Sequence, residues 1–105
     1  MNSVQKVLKK SIIQKEPYCY ECGSSLNLQE HHCIHGSFRK KADEDGLTVL
    51  LCAKCHFNLH HNQNELDKKY KILAQRAYVK KHSFDEYMRR YIKNYDDNDQ
   101  WQSNN

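Results

Sequence analysis

The amino-acid sequence predicts a small α+β fold in which cysteines hold a metal ion between two short strands and their flanking helices. With 105 residues, the chain has room for a single compact core. Apolar residues recur at helical spacing near both ends, and two short strand-like runs lie between them. Four of the five cysteines form two C-x-x-C pairs. The pairs are Cys19 with Cys22 and Cys52 with Cys55.

Composition indicates a folded, helix-rich chain. Hydrophobic residues make up 38% and charged residues 29%, and there are only 3 Gly and 1 Pro, which argues against a disordered protein. Lysines interrupt the apolar residues of the N-terminus, so no secretory signal is expected there, and no apolar run is long enough for a membrane span. We therefore expect a cytoplasmic protein. The net charge of +4 suits a polyanionic partner but is common among unrelated domains.

The N-terminal segment has the pattern of an amphipathic helix. Val4, Val7, Leu8 and Ile12 share one face over residues 3–15, and Pro17 requires the helix to end before it. We expect one domain over residues 1–95, followed by a polar tail. Its parts are an N-terminal helix (1–16), a zinc-bound core (17–62), two C-terminal helices (63–95) and the tail (96–105).

The predicted core alternates cysteine turns with strands. Residues 19–23 resemble a zinc knuckle that ends in a glycine. The alternation over 26–30 predicts a strand toward His31 and His32. The glycine-bounded, charged segment 36–46 predicts an exposed loop, and 47–51 predicts a second strand that leads into the second cysteine pair. A helix should follow from His56.

Two helices are expected after the core. Leu66, Tyr70, Leu73 and Ala77 lie on one face of a helix over 64–81. Ser83 and Glu86 then have the spacing of a capping box. The next helix carries an apolar stripe whose expected role is packing against the preceding helix rather than stacking on bases. The stripe consists of Phe84, Tyr87, Met88, Tyr91, Ile92 and Tyr95.

The cysteine pairs favour structural zinc over disulfides. Four thiolates on two local turns can surround one tetrahedral ion, and an odd number of clustered cysteines suits a reducing compartment. A site made from Cys19 and Cys22 with His56 and His60 would leave the second pair idle. A core of this size supplies about 3–5 kcal/mol, whereas structural zinc contributes about 10–16 kcal/mol. Folding should therefore depend on the metal.

The histidines form a second pattern. His56 and His60 are one helical turn apart, close enough to bind one ion. His31 and His32 are adjacent, so both can approach that ion only where the strand ends or twists. His35, His61 and His82 are not expected as ligands, and Cys33 is expected to be a small buried residue.

The order of these motifs, C-x-x-C-G, then E-H-H, then L-x-V-L-L-C-x-x-C-H, resembles the HNH nucleases of the ββα-metal fold, a treble-clef-like arrangement. More narrowly, residues 19–95 resemble small HNH-like proteins of phages and prophages. The matching residues are His31-His32, Arg39-Lys40, Gly46-Leu47, Cys52 to His56, His60-His61-Asn62, Gln75-Arg76-Ala77-Tyr78 and His82-Ser83 to Met88.

The resemblance implies hydrolysis of DNA phosphodiester bonds by a phage or prophage enzyme in the host cytoplasm. It assigns one catalytic divalent cation, such as Mg²⁺, Mn²⁺, Ni²⁺ or Zn²⁺, to His31, His56 and His60. His32 would be the general base, because a neutral imidazole can take a proton from water. Phosphates would be bound by the loop residues Arg39, Lys40 and Lys41.

One position departs from the family. HNH nucleases usually have an asparagine where this chain has Leu47, so Asn58 or Asn62 would have to replace it. The alternative function is a catalytically silent zinc module that binds nucleic acid or a phage or host protein. A third interpretation is a redox switch built on the C-x-x-C pairs. Two knuckles that bracket a hairpin fit zinc binding better than thiol exchange.

Overall fold

A computed structural model gives the structure of residues 3–61 and 64–96. Five α-helices and one two-stranded antiparallel sheet make up the regular structure of this part. The elements are α1 (Ser3–Lys10), β1 (Leu28–His32), a 3-10 turn (Gly36–Phe38), α2 (Arg39–Asp45), β2 (Thr48–Cys52), α3 (Ala53–His61), α4 (Asn64–Lys81) and α5 (Phe84–Tyr91). Asn62 and nearly all of the predicted polar tail lie outside the described residues.

The sheet pairs β1 with β2 from Leu28 opposite Cys52 to His32 opposite Thr48. Every residue of β2 is buried, which suits its apolar, β-branched sequence. The strand begins and ends one residue later than the sequence predicted. Helix α3 follows at Ala53, without a loop, so it begins three residues before the predicted start at His56.

Aromatic side chains from the last two helices fill much of the core. Tyr70 on α4 and Tyr87 and Tyr91 on α5 are fully buried. The rings of Tyr87 and Tyr91 stack at 5.2 Å, and Tyr78 meets Tyr91 edge-on at 5.7 Å. The prediction that these α5 aromatics pack against the preceding helix is therefore confirmed.

The N-terminal helix is shorter than predicted, because it ends at Lys10 rather than near residue 15. Ser11 stops it: the Ser11 hydroxyl accepts from the amides of Ile13 and Gln14 and donates to the Thr48 carbonyl at 2.6 Å. The Gln14 side chain then accepts from the Leu50 amide at 2.8 Å. Side-chain bonds to β2 thus replace the next helical turn.

The prediction of an exposed loop over 36–46 is wrong, since most of this segment forms α2. Ala42 is its one buried residue, so the helix has too few apolar positions to show periodicity. Gly46 ends it in the left-handed conformation, at φ 72°, as C-terminal glycines commonly do.

Helix α5 also ends earlier than the apolar stripe suggested. Its start is as predicted, because the Glu86 amide donates to the Ser83 hydroxyl at 3.1 Å. Its end is at Tyr91, where Ile92 adopts a left-handed φ of 68° and is 66% exposed. The prediction that Ile92 belongs to the packed stripe is therefore wrong, whereas Tyr95 beyond it does pack against the core.

Candidate metal centre

The four paired cysteines converge in space. Their sulfur atoms all lie within 4.8 Å of one another. The Cys22 and Cys52 sulfurs are 3.7 Å apart. A disulfide would require about 2.05 Å, whereas sulfurs about 2.3 Å from one zinc ion lie about 3.8 Å from each other. The cluster therefore has the dimensions of a tetrahedral site that could hold zinc.

Backbone hydrogen bonds shape the first knuckle. Gly23, at φ 82°, donates its amide to the Cys19 carbonyl at 2.8 Å, and the Tyr20 amide joins the turn to β2 through the Leu50 carbonyl. Burial raises the pKa of the Cys19 thiol, but hydrogen bonds from the amides of Cys52, Cys22 and Glu21 outweigh it and lower that pKa to about 7. Amides directed at a sulfur favour the thiolate that zinc binds.

Glu21 joins this knuckle to α4. Its carboxylate accepts from the Tyr70 hydroxyl at 2.7 Å and from the Lys69 ammonium at 3.0 Å. The Tyr70 hydrogen bond is the largest effect that lowers the pKa of Glu21. Because Tyr70 is fully buried, the sulfur cluster is fixed to the aromatic core.

A second donor cluster contains three histidines. His31 lies near the end of β1, and His56 and His60 lie on α3; their nearest nitrogens are all within 4.8 Å of one another. The His56 and His60 Nε2 atoms are 3.1 Å apart. Two nitrogens bound to one zinc ion at about 2.0–2.1 Å would be about 3.3–3.4 Å apart. These imidazoles therefore also fit a single cation.

The buried nitrogen of His31 supports this fit. His31 is 2% exposed, and its Nε2 has no hydrogen-bond partner, although its ring meets those of His56 and His60 at 5.3 and 5.8 Å. A buried polar atom without a partner is costly. Burial first, and the neighbouring His56 and His60 second, lower the pKa of His31 to about 3. The ring is therefore neutral and keeps a lone pair for a metal ion.

Gln29 orients the histidine cluster from outside. Its side-chain oxygen lies 2.7 Å from His56 Nδ1, so Nδ1 carries the proton and the His56 Nε2 lone pair is available to a ligand. When His60 carries its proton on Nε2, that nitrogen can donate to the His56 lone pair. When the proton is on Nδ1, the Nε2 atoms of His56 and His60 can both bind one cation. Sequence reasoning missed Gln29, since nothing in the sequence marks a glutamine on β1 as a partner of His56.

His32 belongs to a different network on the opposite face of β1. Its Nε2 is 2.9 Å from Asp43 Oδ1. Glu30 and Asp43 both accept from the Lys10 ammonium, at 2.6 and 2.5 Å. Glu30, His32 and Asp43 also have the spacing of metal ligands, but the ammonium of Lys10 already supplies the positive charge that their carboxylates require.

Both faces of β1 open into one cleft of about 210 Å³. The strand ends at His32, which allows both His31 and His32 to line the cleft. The sequence indicated that two adjacent histidines can approach one site only where a strand ends or twists. The lining residues are Glu30, His31, His32, His35, Arg39, His56 and His60. The cleft is thus rich in imidazoles and carries one guanidinium.

The three predicted phosphate-binding residues have different positions. Arg39 lines the cleft, and Lys40 is exposed on α2. Lys41 donates to the Arg90 carbonyl at 3.1 Å and lies over the Phe38 ring, so it contributes to the packing of α2. The geometry brings Arg39, rather than the whole basic triplet, to the histidines.

The remaining histidines do not belong to the cluster of three, although His35 also lines the cleft. His35 is 2.9 Å from an Asp67 oxygen, His61 stacks on Phe57 at 4.2 Å, and His82 packs on the Tyr78 ring at 4.3 Å. The expectation that Cys33 is a buried residue is confirmed, because it is fully buried. Burial also raises the pKa of its thiol, which leaves it unreactive.

Leu47 leaves no polar side chain at the position where HNH nucleases usually have asparagine. It is fully buried, and its carbonyl accepts from the Cys33 amide at 3.0 Å. Asn58, on α3, is partly buried, and no contact places it in the cleft. Asn62, the other predicted substitute, lies outside the described residues.

Comparisons with protein-family models, curated proteins and solved structures found no match. The structure itself defines a small α+β protein with a four-cysteine cluster that could hold a metal ion such as zinc. Across residues 3–61 and 64–96, no helix has the length and apolarity required to cross a membrane.

Proposed function

We propose that this chain is a metal-dependent endonuclease of the HNH (ββα-metal) type that hydrolyses DNA phosphodiester bonds and is encoded by a phage or prophage. In this proposal the four cysteines bind structural zinc, and His31, His56 and His60 bind the catalytic divalent cation. The observation that carries it is the buried, unpartnered His31 Nε2 beside the two α3 imidazoles.

The order of elements supports this fold assignment. The strands β1 and β2 form a hairpin, and α3 follows β2 directly. This strand-strand-helix order, with His31 on the first strand and His56 and His60 on the helix, is the arrangement that the sequence resemblance implies. The two cysteine pairs bracket the hairpin, so their ion would fix the strand and helix that present the histidines.

The residues around the cleft have complementary chemical roles. A divalent cation at the three imidazoles would stabilise charge that develops on the phosphate and on the leaving oxygen. His32 would take the proton from the attacking water as general base. Arg39 would bind a phosphate oxygen through its guanidinium, which cannot deprotonate at neutral pH. The cleft is small, which suits one phosphate group rather than a whole base.

Plasmid nicking tests the proposal directly. Zinc-loaded protein is incubated with supercoiled plasmid and Mg²⁺, Mn²⁺, Ni²⁺ or Zn²⁺, and nicked product is quantified. We expect His32→Ala to lower the rate by about 10²–10⁴-fold, the usual contribution of a general base. His60→Ala should abolish the response to added metal. His61→Ala is the matched control, because it is the neighbouring histidine on α3 and stacks on Phe57.

Two outcomes would contradict this function. One is the absence of nicking with every metal tested, and the other is His32→Ala protein that cleaves at the wild-type rate. The buried Leu47 favours the alternative function, a zinc-scaffolded module that binds nucleic acid without cleaving it. That alternative predicts salt-dependent DNA binding that His32→Ala leaves unchanged, with no cleavage by either protein.

A further inference from the structure

The hydrogen bond between His32 and Asp43 determines which nitrogen of the imidazole carries a proton. His32 Nε2 lies 2.9 Å from Asp43 Oδ1, and the imidazole side chain is 9% exposed. An ionised carboxylate can only accept hydrogen bonds. The proton must therefore lie on Nε2, which leaves Nδ1 as the nitrogen of a neutral ring that can accept a proton.

Glu30 cannot replace Asp43 in this contact. Its carboxylate lies on the same face of β1 and shares the Lys10 ammonium with Asp43. Its nearest oxygen is 4.0 Å from His32 Nε2, beyond hydrogen-bond distance. The two carboxylates thus have one cationic partner in common, but only Asp43 reaches the imidazole.

Lys10 keeps Asp43 suited to this contact. The Lys10 hydrogen bond is the largest effect on Asp43 and lowers the pKa of its carboxyl group, with the His32 contact second. The carboxylate therefore stays ionised near neutral pH. Lys10 lies at the end of α1 and Asp43 on α2, so two helices outside the hairpin support the orientation of one ring on β1.

We propose that Asp43 is a positioning residue that holds His32 as the Nε2–H tautomer, with Nδ1 left to accept the proton of the attacking water. The inference rests on the proposed nuclease function, in which His32 is the general base. It also supplies an orienting group to a chain that has Leu47 where the family usually has asparagine.

A spectroscopic test does not require the protein to cleave DNA. Long-range proton–nitrogen spectra of the zinc-loaded, ¹⁵N-labelled chain at pH 8.5 report the tautomer of each neutral histidine, and His32→Ala identifies the His32 signals. We expect wild-type His32 to be the Nε2–H tautomer and Asp43→Ala to give a mixture of both. Glu30→Ala is the matched control, since it removes a Lys10 partner without removing the His32 contact. The inference is overturned if wild-type His32 is not the Nε2–H tautomer, or if Asp43→Ala leaves the tautomer of His32 unchanged.

Kinetics test the same residue in the reaction. Asp43→Ala should lower kcat about 10–100-fold, the usual effect of removing an orienting partner, while KM changes less than twofold because Asp43 touches no substrate. Asp43→Asn keeps the size of the side chain, but its amide can donate as well as accept, so it no longer forces the tautomer and should also lower kcat. Glu44→Ala, which removes the neighbouring α2 carboxylate that pairs with Arg90, should retain kcat. An equal loss in Asp43→Ala and Glu44→Ala would show that general loosening of α2, rather than positioning, is responsible.

The two measurements separate two failures. If the wild-type protein fails to cleave DNA with every metal tested, the nuclease function is refuted. The spectra would still decide whether Asp43 fixes the tautomer of His32. Wild-type cleavage with kcat unaffected by Asp43→Ala would refute only the positioning role. Zinc content and far-UV spectra of each variant establish folding, and Asp43→Asn provides the test if Asp43→Ala does not fold.

Discussion

Replacing Gly46 with alanine should disrupt the contact between α1 and the end of α2. Gly46 has a φ of 72°, and a Cβ atom there would lie 2.3 Å from the Lys10 carbonyl oxygen and 3.2 Å from the Ile12 amide nitrogen. Both are backbone atoms. The Ile12 amide also donates to the Gly46 carbonyl at 2.9 Å, so the two segments cannot separate without losing that bond.

The expected cost has two parts. Left-handed backbone costs an alanine about 1–2 kcal/mol relative to glycine, and crowding of a packed interior adds about 1–3 kcal/mol. Gly46→Ala should therefore destabilise the protein by about 2–5 kcal/mol. Gly36→Ala is the matched control, because Gly36 has a φ of 71° but nothing within 4 Å of its Cβ position. Gly36→Ala should therefore be destabilised only by the cost of the left-handed backbone, about 1–2 kcal/mol.

Urea unfolding of both variants, followed by far-UV circular dichroism at one buffered zinc concentration, measures the difference. Fixed zinc is needed because a bound ion adds to apparent stability. Equal losses of stability in the two variants would refute the reasoning, since they would mean that the close approach of Lys10 adds nothing. A loss below about 1 kcal/mol in Gly46→Ala would refute the strain argument as well.

Three further predictions concern the metal and the last helix. Removing metal with a strong chelator should abolish most of the helical far-UV signal, because about 10–16 kcal/mol of zinc binding exceeds what a core of this size supplies; an unchanged spectrum would contradict this. Ser83→Ala should destabilise the protein by about 1 kcal/mol through loss of the α5 cap, whereas exposed Ser37→Ala should be neutral in the same melt. Ile92→Gly should raise stability by about 1 kcal/mol, because an exposed β-branched residue at positive φ is strained. A melting temperature about 4–8 °C higher is the expected readout, and a lower one would show that Ile92 makes contacts worth more than its strain.

Local patterns in the sequence predicted the parts of this structure that depend on near neighbours. The spacing of Cys19 and Cys22 fixes a turn, and the four-residue interval between His56 and His60 places both on one face of α3. The apolar period over α4 and the Ser83 cap likewise depend on residues within one or two turns. Each of these features needed only short-range geometry.

The features that the sequence did not reveal depend on contacts between distant residues. Helix α2 has little apolar pattern, and its charged side chains are paired elsewhere: Asp45 accepts from Arg90 and from the Tyr91 hydroxyl, both at 2.5 Å, and Asp43 accepts from Lys10. Such partners, 33 to 46 residues apart, leave no local signal. Gln29 and Asp43, the groups that orient His56 and His32, escaped prediction for the same reason.

Cys55 and His56 are consecutive residues, so a single peptide unit joins the sulfur cluster to the imidazole cluster. Rotation of that unit to release the thiol would also turn the His56 ring away from its neighbours. If both clusters bind ions, as proposed, occupancy of one would favour occupancy of the other. In the proposed nuclease, chain produced under zinc starvation would therefore bind magnesium or manganese more weakly than zinc-loaded chain.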